Sequence, residues 1–391
     1  MNHRESEQAS YIEYLIPIGL TLIIWNYGRF VGDFVGIGEI IIALVAYYGI
    51  INVLSNLKNI NITNLGQYYS LIAMFYFMVI VLPMSIINSR FTYGVSIFEN
   101  FAYLLCCSLI LTLSMLEINR DRVYKLSIIF ILSFVIIGSF LGGEEIWWGD
   151  RLSGPSNNPN RLALYFMCVL VMISQSSFKN PFYSLVAVVV TLGIIYMAGS
   201  DASFLGFAIS GITYLFFKFY RSIFVAPILY LIIFLLSVYS FFYFNDIIFF
   251  FEQLWYAASS SSVRVNLLIN GFEAWIENPI TIFFGHGAGS FSGFSGPFQG
   301  WEAHSTIIDM LTISGLFGLA LFYFPAAYSI FFFISQNRIF AASAVIGLCT
   351  YTLFGFSGRH PIIWLTLFFS MMHANELKIK NDMAEEIKEL K

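Results

Sequence analysis

Long apolar stretches recur along the whole chain and are separated by short polar segments. A helix needs about 20 mostly apolar residues to cross the hydrocarbon core of a bilayer. Twelve stretches approach this length, near 11–27, 34–54, 68–88, 96–116, 123–142, 161–178, 181–198, 202–219, 222–244, 304–334, 339–356 and 360–375. The pattern predicts an all-α polytopic membrane protein in which residues 1–391 form one integral membrane domain. The seventh and eighth stretches are separated only by residues 199–201, so they could also form one re-entrant unit.

Composition supports the same class of protein. Hydrophobic residues make up 58% of the chain and charged residues 11%, which lies outside the range of soluble domains. The net charge of −4 argues against a nucleic-acid partner. All four cysteines fall inside apolar stretches, and we interpret them as small core residues rather than disulfides or metal ligands.

The distribution of positive charge predicts the orientation and suggests a ligand. An even number of spans puts both termini on one side, and the positive-inside rule favours the cytoplasm. All eight lysines then lie inside, and the six outer cations are Arg29, Arg90, Arg151, Arg161, Arg264 and Arg359. Arginine binds phosphate bidentately through a rigid charged fork, whereas lysine is a hydrated point charge. The asymmetry favours a bound phosphate over the alternative, a chance distribution of arginine.

Two long outer loops interrupt the series of spans, at 143–160 and 245–303. Loops of this length are usually functional or disordered. Five of the seven tryptophans fall in them, which is not typical of disorder: Trp147, Trp148, Trp255, Trp275 and Trp301. Trp147 and Trp148 fit an interfacial aromatic belt. The remaining tryptophans indicate that 245–303 folds as a cap.

The second loop contains a predicted amphipathic helix with an arginine in its first turn. Ser262 is a suitable N-cap, residues 263–278 follow, and Pro279 is expected to stop the helix. Arg264 falls on the side opposite a polar stripe made by Asn266, Asn270, Glu273 and Glu277. The helix dipole disfavours a cation at this end unless an anion is also bound, so Arg264 is a candidate phosphate ligand. The alternative is an arginine that snorkels from an interfacial helix.

Similar helix starts occur at two other outer span ends. Residues 157–160, Asn-Asn-Pro-Asn, suit a cap and first turn, and this places Arg161 at the mouth of the sixth span. Arg151 lies just upstream. His304 is expected to begin the tenth span, where the helix dipole keeps an imidazole neutral, as a general base requires. A histidine at a span end can equally be an interface residue.

These segments together resemble the outer loops of the O-antigen ligase and polymerase superfamily. The resemblance rests on the Arg264–Trp275 helix, on Gly285-His286-Gly287-Ala288-Gly289, and on His304-Ser305 at the start of the next span. The segment 151–160 resembles the family's shorter loop, which carries Arg-x-x-Gly and Asn-Pro-Asn. About 80 residues carry the signal. The other spans match only in number and hydropathy.

The chain departs from the family pattern in two places. Ser305 stands where the usual residue after the histidine is asparagine. The turn between the seventh and eighth spans has Ser200-Asp201 where many members carry Ser-Arg, so one expected phosphate ligand is missing. Arg29, Arg90 or Arg359 could replace it, and Arg359, at an outer span end, is the first candidate.

The resemblance implies a glycosyl transfer outside the bacterial inner membrane. The donor would be an oligosaccharide on undecaprenyl diphosphate, and the acceptor a sugar hydroxyl, without nucleotide sugar, cofactor or metal. Fixed guanidinium groups can stabilise the departing diphosphate, and a base can accept the hydroxyl proton. The implied diphosphate ligands are Arg151, Arg264, Arg161 and Arg359, with His304 and Arg264 catalytic. Glu302, Asp309 and Glu273 are the secondary candidates for the base. Membrane lipid and a chain-length regulator would be further partners.

The sequence leaves two questions open: which acceptor is used, and whether the protein is an enzyme or a transporter. A polymerase would use a lipid-linked repeat unit, and a ligase lipid A core. The missing Ser-Arg and the composition rich in Asn, Ile and Phe favour the polymerase. A transporter of lipid-linked oligosaccharide is the alternative from another class, but the intramembrane acids Glu13, Glu39 and Glu99 lie near span ends, not at the midplane. The run 285–300 lacks the Lys-Ser/Thr of a P-loop, and we expect it to shape a saccharide groove walled by Phe291, Phe294 and Phe298.

Overall fold

The computed structural model describes residues 3–25, 29–31, 35–55, 62, 64–87, 96–116, 118–141, 146–219, 263–289, 301, 303–355 and 357–389. These residues are mostly helical, so the predicted all-α class is confirmed. In the first part of the chain the helices are α1 His3–Ile23, α2 Ile37–Ser55, α3 Leu65–Tyr76, a π-helical turn Phe77–Val81, α4 Leu82–Ile87, α5 Ser96–Met115 and α6 Arg120–Leu141. They are followed by α7 Pro159–Gln175, α8 Pro181–Ala198, α9 Asp201–Phe219, α10 Val263–Trp275, α11 Pro279–Phe284, α12 Thr306–Ser335, α13 Ile339–Leu353 and α14 Pro361–Glu389.

Seven helical segments of the described chain are long and apolar enough to cross a membrane: Ile37–Ser55, Leu65–Ile87, Phe98–Met115, Arg120–Leu141, Pro181–Ala198, Asp201–Phe219 and Thr306–Ser335. The protein is therefore a multi-pass membrane protein, and a count of twelve spans stays a prediction. The predicted span 222–244 lies outside the described residues. Since α8 and α9 are each long enough to cross, the structure favours two spans over one re-entrant unit, with Gly199 in the left-handed region (φ 55°) ending α8.

Helix α7 forms the centre of the bundle. Its residues 162–173 are all buried, and it contacts α6, α8, α13 and α14. A helix that is apolar on every side can be buried on every side. Its start is as predicted: Pro159 is the first helical residue, and the Asn158 side chain accepts hydrogen bonds from the amides of Asn160 and Arg161. The cap therefore fixes the backbone that carries Arg161.

Charged residues of the described chain gather at the two ends of the helices. Beyond the C-terminal end of α7, the backbone amide of Ser177 donates a hydrogen bond to Asp121. The neighbouring predicted inner cations are paired in Arg120–Glu376, Arg122–Glu13 and Lys125–Asp121. The N-terminal end of α7 carries Arg161. The grouping agrees with the predicted sidedness, and the absolute orientation stays a prediction.

The first outer loop contains a small β-hairpin. Strands β3 (Trp147–Trp148) and β4 (Arg151–Leu152) are antiparallel, with Trp148 opposite Arg151. Both tryptophan side chains are exposed, which fits the predicted interfacial belt. A second short ribbon, β1 (Arg29–Val31) and β2 (Val35–Gly36), precedes α2.

The predicted helix at 263–278 is shorter in the structure. Helix α10 ends at Trp275, and Pro279 opens α11 instead of only stopping α10. The reason is the capping box at Asn278, whose side chain accepts hydrogen bonds from the amides of Ile280 and Thr281. Proline suits the first helical position because its missing N–H would have no partner there.

The glycine-rich turn after α11 docks into a break in α12. Gly315 interrupts that helix with φ 62° and ψ −167°. The carbonyls of Thr312 and Ile313 accept hydrogen bonds from the amides of His286 (2.7 Å) and Gly287 (2.9 Å). Within 285–289 the turn is closely packed, since a Cβ at Gly285 or Gly287 would overlap neighbouring backbone. That the run shapes a saccharide groove stays a prediction. Phe291, Phe294 and Phe298 lie outside the described residues.

Candidate active site

A cavity of about 1280 Å³ lies between α2, α5, α7 and α9. Its wall includes all four arginines proposed as diphosphate ligands, Arg151, Arg161, Arg264 and Arg359, and also His304. These five residues come from four separate segments of the chain. Arg90 and the side chain of Arg29, the other predicted outer arginines, are outside the described part of the structure.

Arg151 is held by two neutral acceptors. Its Nε donates a hydrogen bond to the carbonyl of Ala198 (3.0 Å), at the end of α8, and its Nη2 donates to Asn160 Oδ1 (2.8 Å), in the first turn of α7. A Cβ at Gly199 would lie 3.2 Å from Arg151 Cγ, so glycine lets the arginine pass close to this turn. Neither hydrogen bond uses Nη1, and no negative charge among these partners offsets the guanidinium.

Arg161 and Arg359 are each paired with a carboxylate. Arg161 Nη2 lies 3.9 Å from Glu39 Oε1 and donates a hydrogen bond to the carbonyl of Ile23 (2.7 Å). Arg359 Nη1 contacts Glu99 Oε1 directly. The sequence alone marks Glu39 and Glu99 only as intramembrane acids. The signal that could have identified them is an acid in the first turn of an otherwise apolar span.

Arg264 lies exposed at the start of α10 and makes no hydrogen bond or ion pair with the described residues. Later residues of α10 are buried against α12: this contact begins one turn after Arg264, at Leu267, and continues through Gly271 and Ala274. Arg264 lies on the side of the helix that carries Gly271, but it precedes this contact and is exposed, whereas the sequence predicted that it would lie away from solvent. Its charge is therefore available to a ligand in the cavity.

His304 has a left-handed backbone conformation with φ 55°. It lies two residues before the first residue of α12, so the expectation that it begins the helix is corrected by this small offset. The backbone on both sides is fixed: the Ala303 amide donates to Asp309 Oδ1 (3.0 Å), and the Thr306 hydroxyl donates to the Gly355 carbonyl (2.6 Å). A strained non-glycine residue persists only where its surroundings hold it. The imidazole is exposed to the cavity and has no hydrogen bond to a described residue.

The secondary base candidates lie elsewhere. Asp309 is fully buried and off the cavity wall, where it fixes the Ala303 turn through the bond described above. Glu273 is exposed and also does not line the cavity. Glu302 is outside the described residues. The geometry therefore gives Asp309 a positioning role, and His304 is the base candidate that lines the cavity among the described residues.

The cavity continues from this charged region along an apolar wall. Residues Ile40, Ala43, Tyr47 and Ile50 of α2 line it at helical spacing. With a rise of about 1.5 Å per residue, the interval from Glu39 to Ile50 covers about 16 Å, roughly half of a bilayer core. The α5 wall runs in parallel from Phe98 to Ser108. The same cavity therefore has arginines in one region and an apolar surface, formed by α2 and α5, in another.

The described chain is thus an all-α, multi-pass membrane protein with an arginine-lined cavity that extends along its helices. Residues 186–323 match the family model described as O-antigen ligase, and this match confirms the resemblance to the O-antigen ligase and polymerase superfamily. The matched region includes α8 to α11, Arg264 and His304. No curated protein matches the chain. The match supports a glycosyltransferase-like polymerase or ligase of polysaccharide biosynthesis.

Proposed function

We propose that this protein is a polysaccharide polymerase of the O-antigen or capsule type. It transfers a glycan from undecaprenyl diphosphate to a sugar hydroxyl of a second lipid-linked repeat unit. The observation that carries the proposal is the convergence of Arg151, Arg161, Arg264, Arg359 and His304 on one cavity. That cavity also has an apolar wall suited to an isoprenoid chain.

The chemistry requires little beyond positioned charge and a base. The bond between the anomeric carbon of the donor sugar and the diphosphate oxygen breaks, and the diphosphate leaves with the bonding electrons. The acceptor hydroxyl oxygen forms the new glycosidic bond, and its proton passes to the imidazole of His304. Arg264 and Arg151, whose charges no carboxylate offsets among their described partners, stabilise the departing diphosphate.

Metal independence is part of the proposal because guanidinium groups supply the charge that a metal ion would otherwise supply. The site is proposed to face the outside of the inner membrane, where lipid-linked repeat units are extended. This orientation follows the positive-inside rule and the grouping of Arg151, Arg161, Arg264 and Arg359 on one cavity. The donor, membrane lipid and a chain-length regulator are the proposed partners.

A ligase that transfers the glycan to lipid A core is the second candidate, because the family match covers both activities. Expression in a cell that lacks the native gene separates them. A polymerase restores long polymer on undecaprenyl diphosphate from single repeats. If polymer already accumulates on the lipid and only its attachment to lipid A core is restored, the protein is a ligase and the proposed acceptor is wrong.

A further inference from the structure

Two carboxylates on the cavity wall have no part in the transfer described above. Glu39 lies in the first turn of α2, and Glu99 in the first turn of α5. Ionisable groups at membrane depth are costly and are generally functional. Both acids face arginines that the proposed function assigns to the diphosphate, so their effect on a bound phosphate has to be opposite to that of the arginines.

The Glu99–Arg359 pair is built into the packed wall. The Glu99 side chain is 2% exposed and touches Arg359 Nη1, while the Arg359 side chain is 30% exposed to the cavity. The backbone beside it is held, since Trp364 Nε1 donates to the Gly358 carbonyl. In a buried ion pair, each charge offsets part of the desolvation cost of the other.

The Glu39–Arg161 pair repeats the arrangement more loosely. The two side chains are 18% and 12% exposed, and the ions lie 3.9 Å apart. Glu39 Oε2 also accepts the backbone amide of Gly36 (3.1 Å). Two of the four cavity arginines therefore have their charge largely offset before any ligand binds.

The donor and the lipid diphosphate product differ in charge, and this difference gives the partial neutralisation of the arginines a function. In the donor the diphosphate is esterified at both ends, whereas the departing lipid diphosphate has one free end and carries one more ionisable oxygen. A cavity of four unopposed arginines would therefore hold the product more tightly than the donor. Tight binding of the product delays its release, and release can then limit turnover.

We propose that Glu99 and Glu39 are resident counter-anions that limit the affinity of the cavity for a lipid diphosphate and so allow the product to leave. This inference rests on the proposed function. It assigns to the two acids a role in product release, and not a role as base or as a structural pair alone.

The test compares binding of undecaprenyl diphosphate, in detergent micelles, to the full-length protein and to Glu99→Gln. Loss of one nearby negative charge should lower the Kd by roughly tenfold at an effective dielectric constant near 20. Turnover should fall, with stronger inhibition by added undecaprenyl diphosphate. The matched control is Glu13→Gln, which breaks a similar pair with Arg122 (3.0 Å; Glu13 side chain 8% exposed) away from the cavity. Its Kd should not change.

Unchanged or weaker binding of undecaprenyl diphosphate by Glu99→Gln would overturn the inference. These are the results expected if Glu99 acts only as a base or only as one partner of a structural ion pair. If melting in detergent shows that Glu99→Gln does not fold, Glu39→Gln takes its place, since Arg161 keeps its bond to the Ile23 carbonyl. Failure of the unmodified protein to bind undecaprenyl diphosphate would contradict the proposed function itself. If the unmodified protein binds undecaprenyl diphosphate and neither variant binds it more tightly, only the counter-anion role is contradicted.

Discussion

Gly271 packs directly against Ile308: a Cβ on Gly271 would overlap the Ile308 Cγ2 methyl and lie 3.6 Å from Ala303 Cβ. Gly271 is seven residues after Arg264 on α10, and Ala303 immediately precedes His304. This close approach therefore sets the position of the proposed phosphate ligand relative to the proposed base. The two residues belong to different segments, so no local interaction could fix that relation.

Gly271→Ala should push α10 away from α12 and lower activity by about 10²-fold, since a displacement near 1 Å is enough for a loss of that size. The control is Gly193→Ala in α8, where an added Cβ meets nothing within 4 Å. Rates measured on protein that melts normally give the comparison. Equal rates in the two variants would show that the α10–α12 contact does not position the site.

Arg264→Lys separates charge from geometry. If Arg264 holds a diphosphate with its planar fork, the lysine variant should lose about 10²-fold in rate, and Arg264→Ala little more. Arg338→Lys is the matched control, since Arg338 is exposed and does not line the cavity. A fully active Arg264→Lys would mean that a point charge suffices, and normal polymer length with Arg264→Ala would end the assignment.

His304 can be tested without disturbing its backbone. Asparagine and glycine tolerate the left-handed conformation, so His304→Asn and His304→Gly should keep the turn that Asp309 and Thr306 hold. Both should lower the rate by about 10²- to 10⁴-fold while lipid-linked substrate still binds, because a positioned base contributes that much. Wild-type rates in either variant would eliminate His304 as a catalytic residue. His286 is unsuitable as a control, because it is buried and its Nε2 lies 2.7 Å from the Ala274 carbonyl.

The predicted orientation can be measured with a membrane-impermeant thiol reagent. A cysteine at Asp150, exposed in the β3–β4 turn, should react from outside the cell. A cysteine at Lys179, exposed between α7 and α8, should react only after the membrane is opened. The native cysteines are buried or partly buried, which keeps the background low. Reversed labelling would move the cavity to the cytoplasmic side.

Local sequence signals predicted the helical elements and several of their caps. The Asn158 cap before Pro159 is an example, because its chemistry lies within four residues. The break of α12 at Gly315 could not be predicted in this way, since the partners of Thr312 and Ile313 are amides of the turn at His286 and Gly287. Outer arginines were predicted from topology, but their carboxylate partners were not. Glu99 and Arg359 are 260 residues apart, so only the fold brings them together.

Purified protein tests most directly whether the cavity transfers a glycan from a lipid diphosphate. Lipid-linked repeat units in detergent, with excess chelator present, should yield extended glycan and one undecaprenyl diphosphate for each bond formed. Arg264→Ala should lower both products together, by about 10²-fold or somewhat more, and Arg338→Lys should leave both unchanged. Extension that requires one specific divalent ion would contradict metal-independent transfer. Absence of any released undecaprenyl diphosphate, with substrate bound and protein folded, would contradict transfer from a lipid diphosphate in this cavity.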